Sequence, residues 1–430
     1  MDISRTEIMD GVALNYLQSF KFKTACMSVT MLTQLSRETA AMNALVPYVL
    51  RRGTVNYPDM DALSARLDEL YGTAIEPIVR RMGEIQCVGF FASFPEGQFL
   101  PENQDVLKDA AELMGQILLA PNTKGGLFLP EYVNSERDKM LDNIRARVNN
   151  KRSYAAKRCI EEMCCYEDFA VDPLGSEEDC EAIRYKKLTQ KYRALLQTSP
   201  IEIFYCGRSK KSDVVAALKD ALYALPRGEI DYDIGTDIRM NAVEEKPRYF
   251  EEQMDVTQGK LVMGFRLGQV MEDPDFAALN VFNCIFGSGS TSKLFMNLRE
   301  KLSLCYYASS SLNTHKGIML VSSGIDFDKL DDVKNEIFAQ LEDIRNGNIT
   351  DDEFTAAKAG VSSDLRSYMD APPALESFYL SQTLRGLDYG PMEMAELVQD
   401  VTREDVIKIA KSVECDMIYF LKGGANEDDE

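Results

Sequence analysis

The chain has 430 residues, which is enough for two or three domains with large hydrophobic cores. Its 48 Lys and Arg residues are outnumbered by 69 Asp and Glu residues, so the formal net charge is −21. This charge disfavours binding to nucleic acid or to anionic membranes. A content of 45% apolar and 27% charged residues is close to the globular average and favours neither a disordered chain nor a coiled coil. We therefore expect a soluble, folded protein that binds neither nucleic acid nor membranes.

The first half of the chain alternates between strand and helix patterns. Residues 22–32, FKTACMSVTML, predict a strand, and a helix is predicted from Arg37 towards Arg51. Pro47 lies inside that helical pattern and removes one backbone donor, so we expect a kink or an early break. Two strands at about 74–81 and 85–94, and further helical segments that include a helical pattern from about 130 to 165, complete this half.

The second half repeats the pattern of the first after a polar segment, 226–250, that we interpret as a linker. The strand at 25–32 is echoed by KLVMGFRL at 260–267, and the helix–strand pair before Gly207 is echoed by the pair before Gly423. Their common order predicts two copies of one domain, residues 1–225 and 251–430. The fold class is therefore α+β: two tandem homologous domains, each a mixed or antiparallel sheet with helices packed on one face.

Cysteine and histidine usage limits the chemistry of the chain. Ten scattered cysteines show no CxxC spacing, which argues against a zinc knuckle or a redox motif and favours reduced thiols in a cytoplasm. The start, MDISRTEIMDG, does not resemble a signal peptide, and we expect a cytoplasmic location. His315 is the single histidine, and its setting in SSLNTHKG predicts a hairpin turn. A zinc hydrolase usually needs two or three imidazoles.

Four segments carry a resemblance to a known family. They are FGSGSTSKLFMNLREKLSLCYYASSS (286–311), DPLGSEEDCEAIRYKKLTQKYRALL (172–196), ERDKMLDNI (136–144) and RRGT (51–54). In this order the chain resembles the insulinase/pitrilysin zinc peptidases, in particular the bacterial two-domain members that are similar to mitochondrial processing peptidase. The resemblance implies two tandem α+β domains that enclose peptides in a chamber.

The resemblance also indicates where a zinc site would lie. Active members carry the inverted motif HxxEH on the early helix, and counting back from Thr54 places its two His ligands at Ala44 and Tyr48. The general-base Glu falls on Pro47. The distal Glu ligand falls on Asn143, and the supporting carboxylate seven residues earlier is retained as Glu136.

Side-chain chemistry decides what these positions can do. Hydrolysis by zinc requires about three N, O or S ligands, a water and a base. Alanine offers no ligand, proline no base, and asparagine is a poor donor to zinc. The phenol of Tyr48 has an ordinary pKa of about 10 and is a rare ligand. We therefore expect no metal or other cofactor in this chain.

A second pair of positions keeps the residues that the family uses. In active members an Arg, and a Tyr seven residues later, reach the peptide carbonyls near the scissile bond, and LREKLSLCYY retains them as Arg299 and Tyr306. A guanidinium can orient a carbonyl and a phenol can stabilise an oxyanion. The alternative is structural: Arg299 is a solvated helix position near Glu300, and Tyr306 packs in a strand.

These observations leave three hypotheses for the function. The first is a zinc-free subunit, inactive alone, of a heterodimeric peptidase whose HxxEH-containing partner holds zinc, while Arg299 and Tyr306 act on the peptide substrate. The second is an inert scaffold, for which retention of the Arg and Tyr has no chemical reason. The third is a cysteine hydrolase that uses His315, although no cysteine lies in a nucleophile-like turn.

Overall fold

The computed structural model describes residues 3–239, 243–268 and 273–424. Within them the strands are β1 (Ile3–Met9), β2 (Val12–Gln18), β3 (Thr24–Gln34), β4 (Ala74–Met82), β5 (Ile85–Pro95), β6 (Thr123–Lys124), β7 (Leu127–Phe128), β8 (Ile201–Gly207), β9 (Arg248–Met254), β10 (Gly259–Arg266), β11 (Tyr307–Asn313), β12 (Ile318–Ile325) and β13 (Glu414–Gly423). The α-helices are α1 (Ala40–Leu50), α2 (Met60–Glu69), α3 (Leu107–Leu119), α4 (Pro130–Ala146), α5 (Lys151–Met163), α6 (Glu177–Glu181), α7 (Tyr185–Thr198), α8 (Lys211–Ala221), α9 (Asp273–Asn283), α10 (Leu330–Arg345), α11 (Asp351–Ser367), α12 (Pro372–Leu384), α13 (Pro391–Asp400) and α14 (Arg403–Ser412). Two π-helical segments, Cys284–Ser288 and Leu294–Lys301, follow α9. None of the described helices combines the length and apolar character needed to span a bilayer.

The chain forms two compact units, each built on one sheet. The first unit contains residues 1–145, 171–235 and 369–390, and the second contains 146–170, 236–368 and 391–430. The first sheet has the strand order β1-β2-β8-β3-β5-β4, and the second has β11-β12-β10-β13-β9. The predicted α+β class is therefore confirmed, but helices pack on both faces of each sheet and not on one face as predicted.

The predicted internal repeat is visible in the topology of the two sheets. Strands β2-β8-β3-β5-β4 of the first unit correspond in order to β9-β13-β10-β12-β11 of the second. In both units the first pair is parallel and the other pairs are antiparallel. Strands β3 and β10 are the two segments whose sequences echo each other, and they occupy the same place in their sheets.

Period-two alternation directs the side chains of β3 to two buried faces of the sheet. In β3, Met27 and Val29 point into the core shared with α1, α3 and α7, whereas Cys26 and Leu32 point to the opposite face. Helix α12 covers that opposite face in the first unit, where Tyr379 stacks on Phe204 at 6.2 Å. In the second unit, α5 covers the corresponding face of β10, β12 and β13.

The compact units differ from the predicted contiguous domains, 1–225 and 251–430, at two segments. Residues 146–170, which include α5, belong to the second unit, and residues 369–390, which include α12, belong to the first. The physical reason is that each sheet has a second apolar face, and the helix covering it comes from the other half of the sequence. The linker is also shorter than the predicted 226–250, because residues up to 235 belong to the first unit and β9 begins at Arg248.

Helix α1 does not break early at Pro47, contrary to one of the two alternatives expected. It continues to Leu50, and the N–H of Arg51 still donates to the carbonyl of Pro47 at 3.1 Å. Pro47 lies in the last turns of the helix, so only one intrahelical hydrogen bond, that to the Asn43 carbonyl, is lost. Burial of nine of the eleven residues of α1 holds the remaining turn in place.

A chain of buried charges joins the strands of the second unit. Glu167 accepts hydrogen bonds from Lys316 Nζ at 2.7 Å and from Arg266 Nη2 at 2.5 Å. Asp416 accepts from Arg266 Nε at 3.0 Å and from Arg248 Nη2 at 2.7 Å. Burial alone would raise the pKa of Glu167, but its hydrogen bonds to the two cations outweigh burial and lower the pKa. Every member therefore depends on its oppositely charged neighbours.

We predict that Glu167→Gln destabilises the second unit strongly, because Lys316 and Arg266 are both buried and lose this carboxylate, although Arg266 keeps its ion pair with Asp416. The free energy of unfolding should fall by about 3 to 5 kcal/mol, measured by urea denaturation. Glu342→Gln, in an exposed pair with Arg345, is the matched control and should have little effect. Equal stability of the two variants would contradict the assigned network.

The same carboxylate predicts a pH dependence. Because the folded-state pKa of Glu167 is lowered, its stabilisation is complete above the unfolded pKa, about 4.3, and is lost as the pH falls through the folded value. The difference in unfolding midpoint between wild type and Glu167→Gln should therefore shrink below about pH 4.3. Thermal melts from pH 7 to pH 3 measure it, and a constant difference over that range would be inconsistent with the ion pairs.

Candidate functional site

Helix α1 carries the three positions at which the family motif would place ligands and base. Ala44 is fully buried and Pro47 is buried, while Tyr48 is half-buried on the same side of the helix. The helix lies against the loop before α6 so closely that a Cβ on Gly175 would be 2.5 Å from the Cβ of Ala41. This half of the site is a packed apolar helix rather than a surface open to water.

Amide groups occupy the polar side of α1. Asn43 and Gln86 are both fully buried, and Asn43 Nδ2 donates to Gln86 Oε1 at 2.8 Å. Gln86 Nε2 in turn donates to the carbonyls of Ala40 at 3.0 Å and Pro173 at 2.6 Å. These hydrogen bonds tie α1 to β5 and to the loop before α6. The amide groups are neutral, so they stabilise the helix through these hydrogen bonds but are poor ligands for zinc.

The retained carboxylate, Glu136, has a structural partner. It is buried on α4, and it pairs with Arg52 Nη1 at 3.2 Å and with Lys139 Nζ at 2.8 Å. Arg52 also lies over the ring of Tyr132, 5.0 Å from its centroid. The structure thus brings Glu136 to the residues just after α1, whereas Asn143 is exposed two turns further along α4. Within the described residues, no group of three or more His, Cys, Asp or Glu side chains could hold a metal ion.

The second candidate site lies where the segment Leu294–Lys301 leads into β11. Tyr306 precedes β11, and its N–H donates to the carbonyl of Gly324 on β12 at 2.8 Å. Its side chain is 58% exposed, and the hydroxyl donates to Asp326 Oδ1 at 3.1 Å. The hydrogen bond to the Asp326 carboxylate raises the pKa of Tyr306.

Arg299 lies on the π-helical segment that precedes Tyr306. Its side chain is 47% exposed, its guanidinium lies 5.0 Å from the ring centroid of Phe295, and Nε is 3.6 Å from Glu300 Oε1. Ser303 adopts a left-handed backbone, with φ of 51°, which turns the chain from helix to strand. Both predicted side chains thus reach solvent from one short segment of the second unit.

Sequence reasoning missed the residues around Tyr306. The side chain of Gln258 is within hydrogen-bonding reach of Tyr306, and Lys260 follows it at the start of β10. Arg152, on α5, stacks on Tyr307 with its guanidinium carbon 4.2 Å from the ring centroid. The KRSYAAKR pattern of α5 was a visible signal of positive charge, but nothing in it indicated which strand it faces.

The cysteines and the histidine do not form a nucleophilic site. His315 lies in the β11–β12 turn, as predicted. Burial raises the pKa of Cys87, Cys164 and Cys415 to about 12, so these thiols are protonated and unreactive at neutral pH. Cys165 is the one exposed cysteine of the ten, and its helix-end position is no nucleophile turn.

Comparisons with known proteins agree with this geometry. The model of the family domain "Peptidase M16 inactive domain" matches residues 182–361. A Bacillus subtilis (strain 168) protein named "Probable inactive metalloprotease YmfF" is 30% identical over 415 residues, which are 96% of either chain. A crystal structure of a conserved protein from Enterococcus faecalis V583 has 28% identity and a TM-score of 0.90, covering 100% of both chains.

A more distant solved structure supports the fold. The peptidase M16 inactive domain from Pseudomonas fluorescens is 16% identical with a TM-score of 0.75, over 100% of this chain and 99% of that one. The extent of the Bacillus similarity leads to one assignment. The chain belongs to the insulinase/pitrilysin (M16) peptidase family, as an inactive member.

Proposed function

We propose that the chain is the zinc-free subunit of a cytoplasmic heterodimeric M16 peptidase. An HxxEH-containing partner subunit supplies the zinc and its activated water, and this chain supplies Arg299 and Tyr306 to the bound peptide. The chain alone is inactive, because Ala44, Pro47 and Asn143 offer neither ligand nor base to a metal.

The observation that carries the proposal is the state of Tyr306. Tyr306 is 58% exposed, whereas a tyrosine packed inside a sheet, such as Tyr419 in β13, is buried. Its hydroxyl is oriented by a hydrogen bond to Asp326. Tyr249 is also exposed and bonded to a carboxylate, but of the two only Tyr306 lies on the exposed segment that carries Arg299. There a phenol can donate to developing negative charge in the substrate.

The roles of the two side chains follow from their chemistry. As water attacks a peptide carbonyl, its oxygen becomes an oxyanion, and the Tyr306 hydroxyl can transfer its hydrogen bond from Asp326 to that oxygen. Arg299 presents a planar guanidinium that can hold a neighbouring carbonyl of the extended peptide. The contacts of Arg299 with Phe295 and Glu300 are weak and half-exposed, so the guanidinium can leave them and bind a substrate carbonyl.

We predict that Tyr306→Phe lowers kcat of the assembled pair about 10²-fold with little change in KM, because one oxyanion donor is lost. Arg299→Ala should lower kcat/KM, and Arg299→Lys should not fully restore it. Tyr249→Phe is the matched control, since Tyr249 is also exposed and donates to a carboxylate, Glu251, at 2.9 Å. It should leave turnover unchanged.

Kinetics and melting temperatures of these variants separate the proposal from the scaffold. Wild-type turnover in a chain carrying both Tyr306→Phe and Arg299→Ala would establish the scaffold instead. A lowered melting temperature with unchanged kcat would assign Tyr306 a purely structural role.

We also predict that the purified chain retains well below one zinc per molecule after dialysis and shows no chelator-sensitive peptidase activity. The reason is the absence of ligands on α1 and the pairing of Glu136 with two cations. Metal analysis of wild type and Tyr48→Phe tests this directly. One tightly bound zinc in wild type, lost in the variant, would overturn it.

A further inference from the structure

Strand register brings positive charge next to Tyr307, the residue that follows Tyr306 in the chain. Lys260 on β10 and Tyr307 on β11 both pair with Gly324 of β12, so their side chains flank the same backbone position. A Cβ on Gly324 would be 2.5 Å from the Tyr307 ring and 2.9 Å from the side-chain oxygen of Gln258. Only glycine leaves room for this arrangement, and the carbonyl of that glycine anchors the N–H of Tyr306.

Two further cations reach this place from the first turn of α5. Arg152 stacks on one side of Tyr307 at 4.2 Å and donates to Ser309 Oγ at 2.8 Å, while Lys260 Nζ is 6.0 Å from the same ring centroid. Lys151 and Lys260 both line an open pocket of about 480 Å³, which also contains Thr257 and Gln258.

Within the described part of the chain none of the three cations forms an ion pair, and Lys151 instead contacts the Met254 sulfur at 2.8 Å. The carboxylate of Asp255 also lines the pocket, and that of Asp326 lies against Tyr306. The three positive side chains therefore outnumber these two carboxylates. Burial, and then repulsion by Arg152, lower the pKa of Lys260. In a chain of net charge −21, unpaired clustered cations are a costly arrangement that an anion would relieve.

We propose that Lys151, Arg152 and Lys260 bind a carboxylate of the peptide beside the group that Tyr306 contacts. The site therefore selects acidic peptides, through an Asp or Glu side chain or through a free C terminus. This specificity rests on the proposed function, because the site is useful next to Tyr306 only if a peptide is cleaved there. Gln258 interacts with both Tyr306 and Lys260, and so connects the phenol to the cluster of cations.

The test uses the full chain and fluorescent dodecapeptide mixtures that are randomised over uncharged residues and carry one fixed Glu or one fixed Gln. Both are amidated at the C terminus, and a third mixture has the fixed Gln with a free carboxylate. Anisotropy should show about tenfold tighter binding of a carboxylate-bearing mixture, since hydrogen bonds to charged groups are worth about 1.5 kcal/mol or more. Preference for the Glu mixture assigns the ligand to side chains, and preference for the third assigns it to C termini.

Lys260→Gln and Arg152→Gln should abolish the preference, and high salt should weaken it. Lys411→Gln, an exposed cation on α14, changes the net charge equally and should preserve it. Equal affinity of wild type for all mixtures, including no measurable binding, would overturn the inference, as would a preference that survives both substitutions.

Turnover by the assembled pair separates this inference from the proposed function. If Tyr306→Phe reduces kcat but Lys260→Gln leaves the cleavage preference between Glu and Gln mixtures unchanged, the carboxylate site is wrong and the proposed function stands. If Lys260→Gln abolishes the binding preference of the chain while Tyr306→Phe and Arg299→Ala retain full turnover, the carboxylate site stands and the proposed function is wrong.

Discussion

The packing of helix α1 is the constraint on which this account of the protein depends. Ala44 has no exposed surface, and the buried amides of Asn43 and Gln86 bind each other on the polar side of the helix. A catalytic zinc site needs charged or imidazole ligands and one position open to water. Neither Ala44 nor Pro47 can supply such a ligand, which is why we propose that a partner subunit holds the metal.

The second unit carries Arg299 and Tyr306, the two side chains that we propose act on the peptide. Its sheet is organised by the buried ion pairs of Glu167 and Asp416, which connect β9, β10, β13 and the loop after α5. The same sheet sets the register of β10, β11 and β12 that places Lys260 beside Tyr307, the residue after Tyr306. A rigid internal network therefore supports an exposed polar surface, which is the arrangement expected for a site that must hold its geometry before substrate arrives.

Much of the architecture could be predicted from the sequence, because it follows from residue patterns within short segments. The echo between 25–32 and 260–267 predicted the repeat, and the Arg299–Tyr306 spacing predicted a pair that the structure places on one exposed segment. The positions of α5 and α12 could not be predicted, because an apolar helix face does not specify which of two equivalent sheets it covers. The cluster of Arg152 and Lys260 was missed for the same reason, since the fold brings together residues that are far apart in sequence.

The first unit shows a related limit. Pro47 predicted a break or a kink, yet α1 continues past it, because tertiary burial offsets the loss of one hydrogen bond.

Asp326, which orients Tyr306, lies after β12 and carries no sequence signal of its role. Its effect on Tyr306 became visible only when strand pairing placed the two side chains 3.1 Å apart.

The most direct test of the central claim is a crystal structure of the assembled pair with a phosphinic peptide, a mimic of the tetrahedral intermediate. The decisive measurement is the distance between Tyr306 Oη and the nearer phosphinate oxygen. The account predicts a hydrogen bond of about 2.5 to 3.0 Å. A Tyr306 hydroxyl that still donates to Asp326, with no direct contact to the phosphinate, would contradict it.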